Sequence, residues 1–100
     1  MNEEKIRVMS QLFKTLSDPT RLSILLLLRE GECNVGRIAT TLNKEQSAIS
    51  HQLQLLRKHH LVRTRRDGKT IYYRLDDDHV QKLLMMMDEH VSHHLKNNEN

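Results

Sequence analysis

Residues 34–75, NVGRIATTLNKEQSAISHQLQLLRKHHLVRTRRDGKTIYYRL, decide the fold of this chain. Behind Asn34, a good N-cap, Val35, Ile38, Ala39 and Leu42 recur at helical spacing, which predicts a short helix. Asn43-Lys44 reads as a tight turn. Glu45 then opens a second helix through about His59, with Ile49, Leu53 and Leu56 on one stripe. On another face of that helix Ser47, Ser50, His51 and Gln54 stand at i, i+3, i+4 and i+7. Two short helices with a tight turn, the second turning small hydrogen-bonding side chains outward, describe a helix-turn-helix over 34–59. An ordinary helical hairpin shares that pattern, and the following residues separate the two. Val62–Arg66 and Lys69–Leu75 flank Asp67-Gly68, the dipeptide of a type I′ hairpin turn. A basic hairpin at 62–75 directly after a helix-turn-helix is a wing, placed to reach phosphates or the minor groove. The expected class is mainly α with a β-hairpin wing.

Charge supports the same surface. Between Arg57 and Arg74 lie seven Lys/Arg against Asp67 alone, whereas the chain from Leu75 onward is net negative and the whole carries only +3. A solvated face can be this basic, but here the block coincides with the wing, on Arg63, Arg65, Arg66, Lys69 and Arg74. Such a stripe is the electrostatic footprint of a protein that neutralises nucleic-acid phosphates.

Working outward, Ile6, Met9, Leu12 and Phe13 give an amphipathic helix from about Glu3 to Leu16. Ser17-Asp18-Pro19 breaks it and restarts a strongly apolar helix that runs to about Arg29. After the wing a last helix is expected over 78–95, with Lys96–Asn100 as a frayed end. With about 100° per residue, Val80, Leu83, Leu84, Met87 and Val91 form one apolar arc, and His79, His90 and His93 line its edge. His79 and His90 are nonetheless roughly 16 Å apart along the axis, so one helix cannot bring both to one ion. An antiparallel copy across a two-fold axis can. Asp77, just before the first turn, and His79 from one chain, with His90 and His93 from the other, give a four-ligand N/O site, twice per dimer. Asp78 and His94 are the nearest substitutes for a named ligand. Singly, each of these residues is as well explained by a charged helix start or by solvated tail histidines; the spacing as a set argues for the site. Imidazole with carboxylate in a tetrahedron suits Zn(II) or Co(II) over Ca(II) or Mg(II), and the extra histidines leave nickel open.

One hundred residues make a single domain, 1–100, with a thin core at 37% apolar composition, which dimerisation would enlarge. Three aromatics, one proline and no tryptophan argue against a β-sandwich or an aromatic-lined sugar site. The single Cys33 excludes an intrachain disulfide framework and a thiolate zinc finger, and is expected to be a buried structural thiol. One unpaired thiol, no signal-like start and no apolar run longer than Ile24–Leu28 point to a cytoplasmic protein without a membrane partner. No nucleophile motif is present, and a site closed by four protein ligands leaves no position for water, so neither an enzyme nor a small organic substrate is expected.

LSDPTRLSILLLL (16–28), NKEQSAISHQLQLLRKHHLV (43–62) and RRDGKTIYYRL (65–75) resemble the second helix, recognition helix and wing of the ArsR/SmtB metal-responsive repressors. LDDDHV (75–80), with H-x-x-H eleven residues past His79, is similar to the zinc-sensing, CzrA-like branch. The resemblance spans about residues 6–94. It implies DNA-facing roles for Gln46, Ser47, Ser50 and His51, and a helix-five sensory site at Asp77, His79, His90 and His93. It further implies that a ligand histidine hydrogen-bonds a backbone carbonyl at His60, coupling metal to DNA. Where thiolate-using members carry a Cys pair this chain has Asn34 and Gly36, so arsenite or cadmium sensing through thiolates is not expected. The resulting expectation is a homodimeric repressor that leaves a palindromic operator when Zn(II) or Co(II) binds. Its rivals are the same DNA-binding fold with a non-metal trigger, and a zinc buffer or carrier, which would show no salt-dependent binding to a palindromic duplex.

Overall fold

The computed structural model describes residues 2–98. In chain order they form α1 (Glu3–Leu16), α2 (Pro19–Leu28), β1 (Cys33–Asn34), α3 (Val35–Leu42), α4 (Gln46–Lys58), β2 (Val62–Asp67), β3 (Thr70–Leu75) and α5 (Asp78–Asn98). Four helix starts are fixed by side-chain caps, that of α5 by Asp77 and the other three as follows. Asn2 accepts from the Glu4 and Lys5 N–H groups, Asp18 from Arg21 N–H at 3.0 Å, and Asn34 from Arg37 N–H at 2.8 Å. Each satisfies a donor the first helical turn leaves open.

Both helices of the helix-turn-helix end in the same way. Asn43 (φ 54°) and His60 (φ 58°) take the left-handed conformation. Around Asn43, its own N–H reaches Thr40 O and Lys44 N–H reaches Ala39 O; around His60, its N–H reaches Arg57 O and Leu61 N–H reaches Leu56 O. These paired bonds are Schellman motifs, and Leu56 and Leu61, buried on either side of the second, supply its apolar contact. The first motif shapes the turn between α3 and α4, and the second aims the chain from α4 into the wing.

The core gathers Ile24, Leu25 and Leu28 of α2, Ile38 of α3, Ile49, Leu53 and Leu56 of α4, Val62 of β2, and Val80 and Leu84 of α5. Cys33 is buried among them as a free thiol, as the sequence suggested. Arg21 clamps three helices together: its Nε donates to Thr15 O at 2.8 Å and a terminal nitrogen donates to Gln52 Oε1 at 3.1 Å.

Three expectations are corrected. The two-residue strand β1 has no periodicity to announce it, yet it pairs with β3 and makes a three-stranded antiparallel sheet in the order β1-β3-β2. The wing turn lies on Gly68-Lys69, not Asp67-Gly68, because Asp67 pairs with Thr70 and Val62 with Leu75. Of the two turn residues only Gly68 has positive φ (62°), which excludes type I′ and matches the glycine-first order of type II′. Finally, α5 continues through Asn98, past Leu95 and into the stretch expected to fray; positions 99–100 lie outside the described residues.

Candidate nucleic-acid interface and metal ligands

The recognition helix α4 buries Ile49, Leu53 and Leu56, and this fixes what its other side presents. Gln46, Ser47, His51 and Gln54 are exposed and Ser50 is partly so. Glu45 precedes the helix without a side-chain cap bond, so the first-turn N–H groups around Gln46 and Ser47 have no help from that residue. First-turn residues are the ones a recognition helix brings to base edges. Gln46 lies close against α3, where a Cβ on Gly36 would come within 3.2 Å of its Nε2. The glycine therefore leaves room for the Gln46 side chain.

The wing's register sorts its basic residues. Arg63 stands directly opposite Arg74, and Arg65 opposite Tyr72, on one face; Arg66 stands opposite Ile71 on the other. Arg63, Arg66, Lys69 and Arg74 are exposed. Two guanidinium groups facing each other across a strand pair disfavour the free hairpin and favour an anionic partner. Arg65 differs from the rest. Its Nε and one terminal nitrogen donate to the two carboxylate oxygens of Glu32, the other terminal nitrogen lies 4.0 Å from Asp67, and the guanidinium sits 4.7 Å above the Tyr72 ring. The hydrogen bonds from Arg65, before any longer-range attraction, hold the Glu32 carboxyl below the usual carboxylate range, and Glu32 in turn raises Arg65.

At the other end of the protomer, Asp77 caps α5. Its Oδ1 accepts from Val80 N–H at 3.1 Å, and its Oδ2 lies 3.4 Å from His79 Nδ1. The Val80 N–H first, and the His79 ring second, hold the Asp77 carboxyl below its ordinary value, so it is an ionised oxygen donor at neutral pH. The His79 side chain is 92% exposed. His90 and His93 lie on the exposed side of the same helix farther along, with His93 Nε2 3.2 Å from Asn97 Nδ2. Among the described residues no three His, Cys, Asp or Glu side chains converge as a metal cluster. The structure thus brings Asp77 and His79 together, and His90 and His93 stay apart from them. Between α1 and α5 runs an apolar groove of about 360 Å³ lined by Met9, Leu12, Phe13, Leu16, Leu61, Val80 and Leu83, with His79 at its edge.

The bacterial regulatory protein family named arsR matches residues 18–64, from the α2 cap into β2. The chain is 36% identical over 91 residues to a transcriptional repressor SmtB homolog of Synechocystis sp., covering 91% of this chain and 69% of that one. It is 40% identical over 76 residues to a cadmium resistance transcriptional regulatory protein CadC homolog of Staphylococcus aureus, covering 75% of this chain and 63% of that one. The chain belongs to the ArsR family. Among solved structures, the ArsR-like homodimeric winged helix-turn-helix DNA-binding domain Mb0332 of Mycobacterium bovis superposes with a TM-score of 0.86 at 32% identity, covering 97% of this chain and 93% of that one. ArsR-family proteins are transcriptional regulators and not enzymes, and this member is a DNA-binding regulator with a winged helix-turn-helix. Among the described residues of this ArsR protein no helix is long and apolar enough to cross a membrane.

Two residues of the interface escaped the sequence reading. Glu32 follows the second helix in a stretch without periodicity, and only the pairing of β1 with β3 brings it across the sheet to Arg65. Gly36 lay inside a helical pattern, where its nearness to Gln46 leaves no local trace.

Proposed function

We propose that this chain is a homodimeric, metal-responsive repressor that binds palindromic operator DNA in the cytoplasm and releases it when Zn(II), or Co(II), binds. The reading gives base contacts to Gln46, Ser47, Ser50, His51 and Gln54 of α4, and phosphate contacts to the wing, for which the sequence nominates Arg63, Arg65, Arg66 and Lys69. Its metal ligands are Asp77 and His79 of one protomer with His90 and His93 of the partner, two sites per dimer.

The observation that carries the metal assignment is the pairing of Asp77 with His79. An ionised carboxylate and an open imidazole stand side by side at the start of α5, and the proposal takes them as two ligands of a four-ligand site. The other half lies roughly 16 Å farther along the same helix, by eleven residues at helical rise. Three imidazoles and one carboxylate fit a tetrahedral Zn(II) or Co(II) ion. Dimerisation is supported by Ile6, Met9 and Phe13 of α1 and by Leu83, Met86, Met87, Val91 and Leu95 of α5, large apolar side chains left exposed by the single protomer. The Mycobacterium bovis structure is described as homodimeric, and the Staphylococcus aureus relative is named for cadmium resistance. When bound, the metal would join α5 of one protomer to α5 of the other; through the His60 carbonyl that junction would reach the end of α4.

The test is a zinc titration of the protein on a duplex it has selected from a random pool, following metal and DNA occupancy together. Two zinc ions per dimer and loss of DNA with their binding are expected. DNA occupancy that ignores zinc would leave a repressor with a non-metal trigger. Zinc binding without salt-dependent DNA binding would leave a buffer or carrier.

A further inference from the structure

We infer that Arg65 is a positioning residue rather than a phosphate contact: clasped by Glu32 and stacked on Tyr72, it fixes the angle of the wing to the helix-turn-helix. The inference rests on the DNA-binding reading and refines which wing residues touch DNA.

Every nitrogen of the guanidinium already faces an acceptor, two on Glu32 and the third at 4.0 Å from Asp67. The ring of Tyr72 covers one face of the group at 4.7 Å. Exposed ion pairs generally contribute little, and the exceptions are bidentate Arg–carboxylate forks held in a fixed geometry. This fork has that geometry because the sheet supplies it. Tyr72 lies between its two ends, opposite Arg65 on β2 and opposite Asn34 on β1. Glu32 directly precedes β1, and Asn34 at the end of β1 caps α3, the first helix of the helix-turn-helix. The clasp therefore joins the strand that carries the wing's charges to the residue that starts the reading unit. Among the described residues Arg63, Arg66 and Lys69 are given no such acid partner and are left for phosphates, while Arg74 feels the Glu32 carboxylate only at longer range, without a fork. By reducing the net charge of the wing's inner row, Glu32 also lowers the affinity for any duplex taken indiscriminately. The device trades non-specific attraction for a fixed wing.

Charge counting separates positioning from contact, because each phosphate neutralised adds about one unit to the salt slope of binding. The experiment measures affinity for a duplex selected by the wild type and for a scrambled duplex of equal length, across a salt series. Arg66→Ala serves as the phosphate control and should flatten the slope by about one unit on both duplexes. Arg65→Ala should leave the slope unchanged while the selected-over-scrambled ratio falls about tenfold, the size of one misplaced base contact. Arg65→Lys should resemble Arg65→Ala, because a lysine keeps the charge and cannot form the fork. Glu32→Gln should lower the same ratio and steepen the slope by about one unit as Arg65 is freed to meet phosphate. A flatter slope with an unchanged ratio in Arg65→Ala, or wild-type behaviour in Arg65→Lys, would overturn the inference and return Arg65 to the phosphate set. Absence of salt-dependent binding by the wild type would instead overturn the DNA reading on which the clasp depends.

Discussion

Replacing His60 with glycine should stabilise this protein, although the position lies at the junction of α4 and the wing. His60 holds φ 58° as the left-handed residue of a Schellman motif, with its own N–H on Arg57 O at 3.0 Å and Leu61 N–H on Leu56 O at 2.9 Å. A side chain in that conformation costs about 1–2 kcal/mol. Glycine removes the cost but loses about 0.5–1 kcal/mol more chain entropy on folding. The net gain therefore lies between about 0 and 1.5 kcal/mol, centred at about 0.75 kcal/mol, and both backbone bonds survive. With a urea dependence of about 2 kcal/mol per molar, the unfolding midpoint should rise by about 0.4 M. The comparison needs equal protein concentrations, because the stability of a dimer depends on concentration. His60→Val should move the midpoint the other way, a β-branched residue being the least suited to positive φ. The substitution also probes the proposed coupling. If metal reaches α4 through the His60 backbone carbonyl, His60→Gly should still be released from DNA by zinc. A lowered midpoint would refute the strain argument, and a folded variant that no longer answers zinc would refute the backbone route.

Gly36→Ala should change stability little, since the helix propensity gained, about 1 kcal/mol, is offset by a Cβ within 3.2 Å of Gln46 Nε2. Its effect should appear instead as reduced base discrimination in a duplex selection, as Gln46 is displaced. A mixed dimer of a His79→Ala chain with a His90→Ala chain should bind one zinc ion tightly, because one inter-subunit site loses both residues and the other keeps all four. Zero tight sites in that mixed dimer would show that the ligands come from a single chain. The Glu32 carboxyl is held below its ordinary value by Arg65, so its contribution is complete above the ordinary carboxylate range and fades as pH falls through the lower folded value. The urea-midpoint difference between wild type and Glu32→Gln should accordingly be flat near neutrality and shrink in acid; a difference that widens on acidification has the wrong sign.

The limits of α1 to α4 were legible because their signals are local: Asp18-Pro19 and Asn34 cap where a cap was expected, and the buried stripe of α4 follows the helical period. The wing shows what local signals miss. Centring the turn on Asp67-Gly68 pairs Val62 with Tyr73, whereas the fold pairs Val62 with Leu75. The two registers differ by two residues, and such a slip leaves each side chain on its original face, so alternation cannot choose between them. The strand ends farthest from the turn decide: Val62 is buried at 1% exposure and Leu75 packs against the same core, which draws the two together. That choice has a functional consequence. In the observed register Arg65 meets Tyr72 and Arg63 meets Arg74; in the other, Arg65 would face Thr70 and Arg63 would take the ring. The clasp to Glu32 thus depends on a register set by apolar packing at the base of the wing, with its acidic partner 33 residues away in sequence. The proposed α5 ligands reverse the situation. Their spacing was readable from the first, but a single protomer assembles only Asp77 with His79, because the helix that spaces the histidines also keeps them out of each other's reach. One half of the interface was hidden by distance along the chain, and the proposed metal site is divided by distance along a helix that only a second protomer can close.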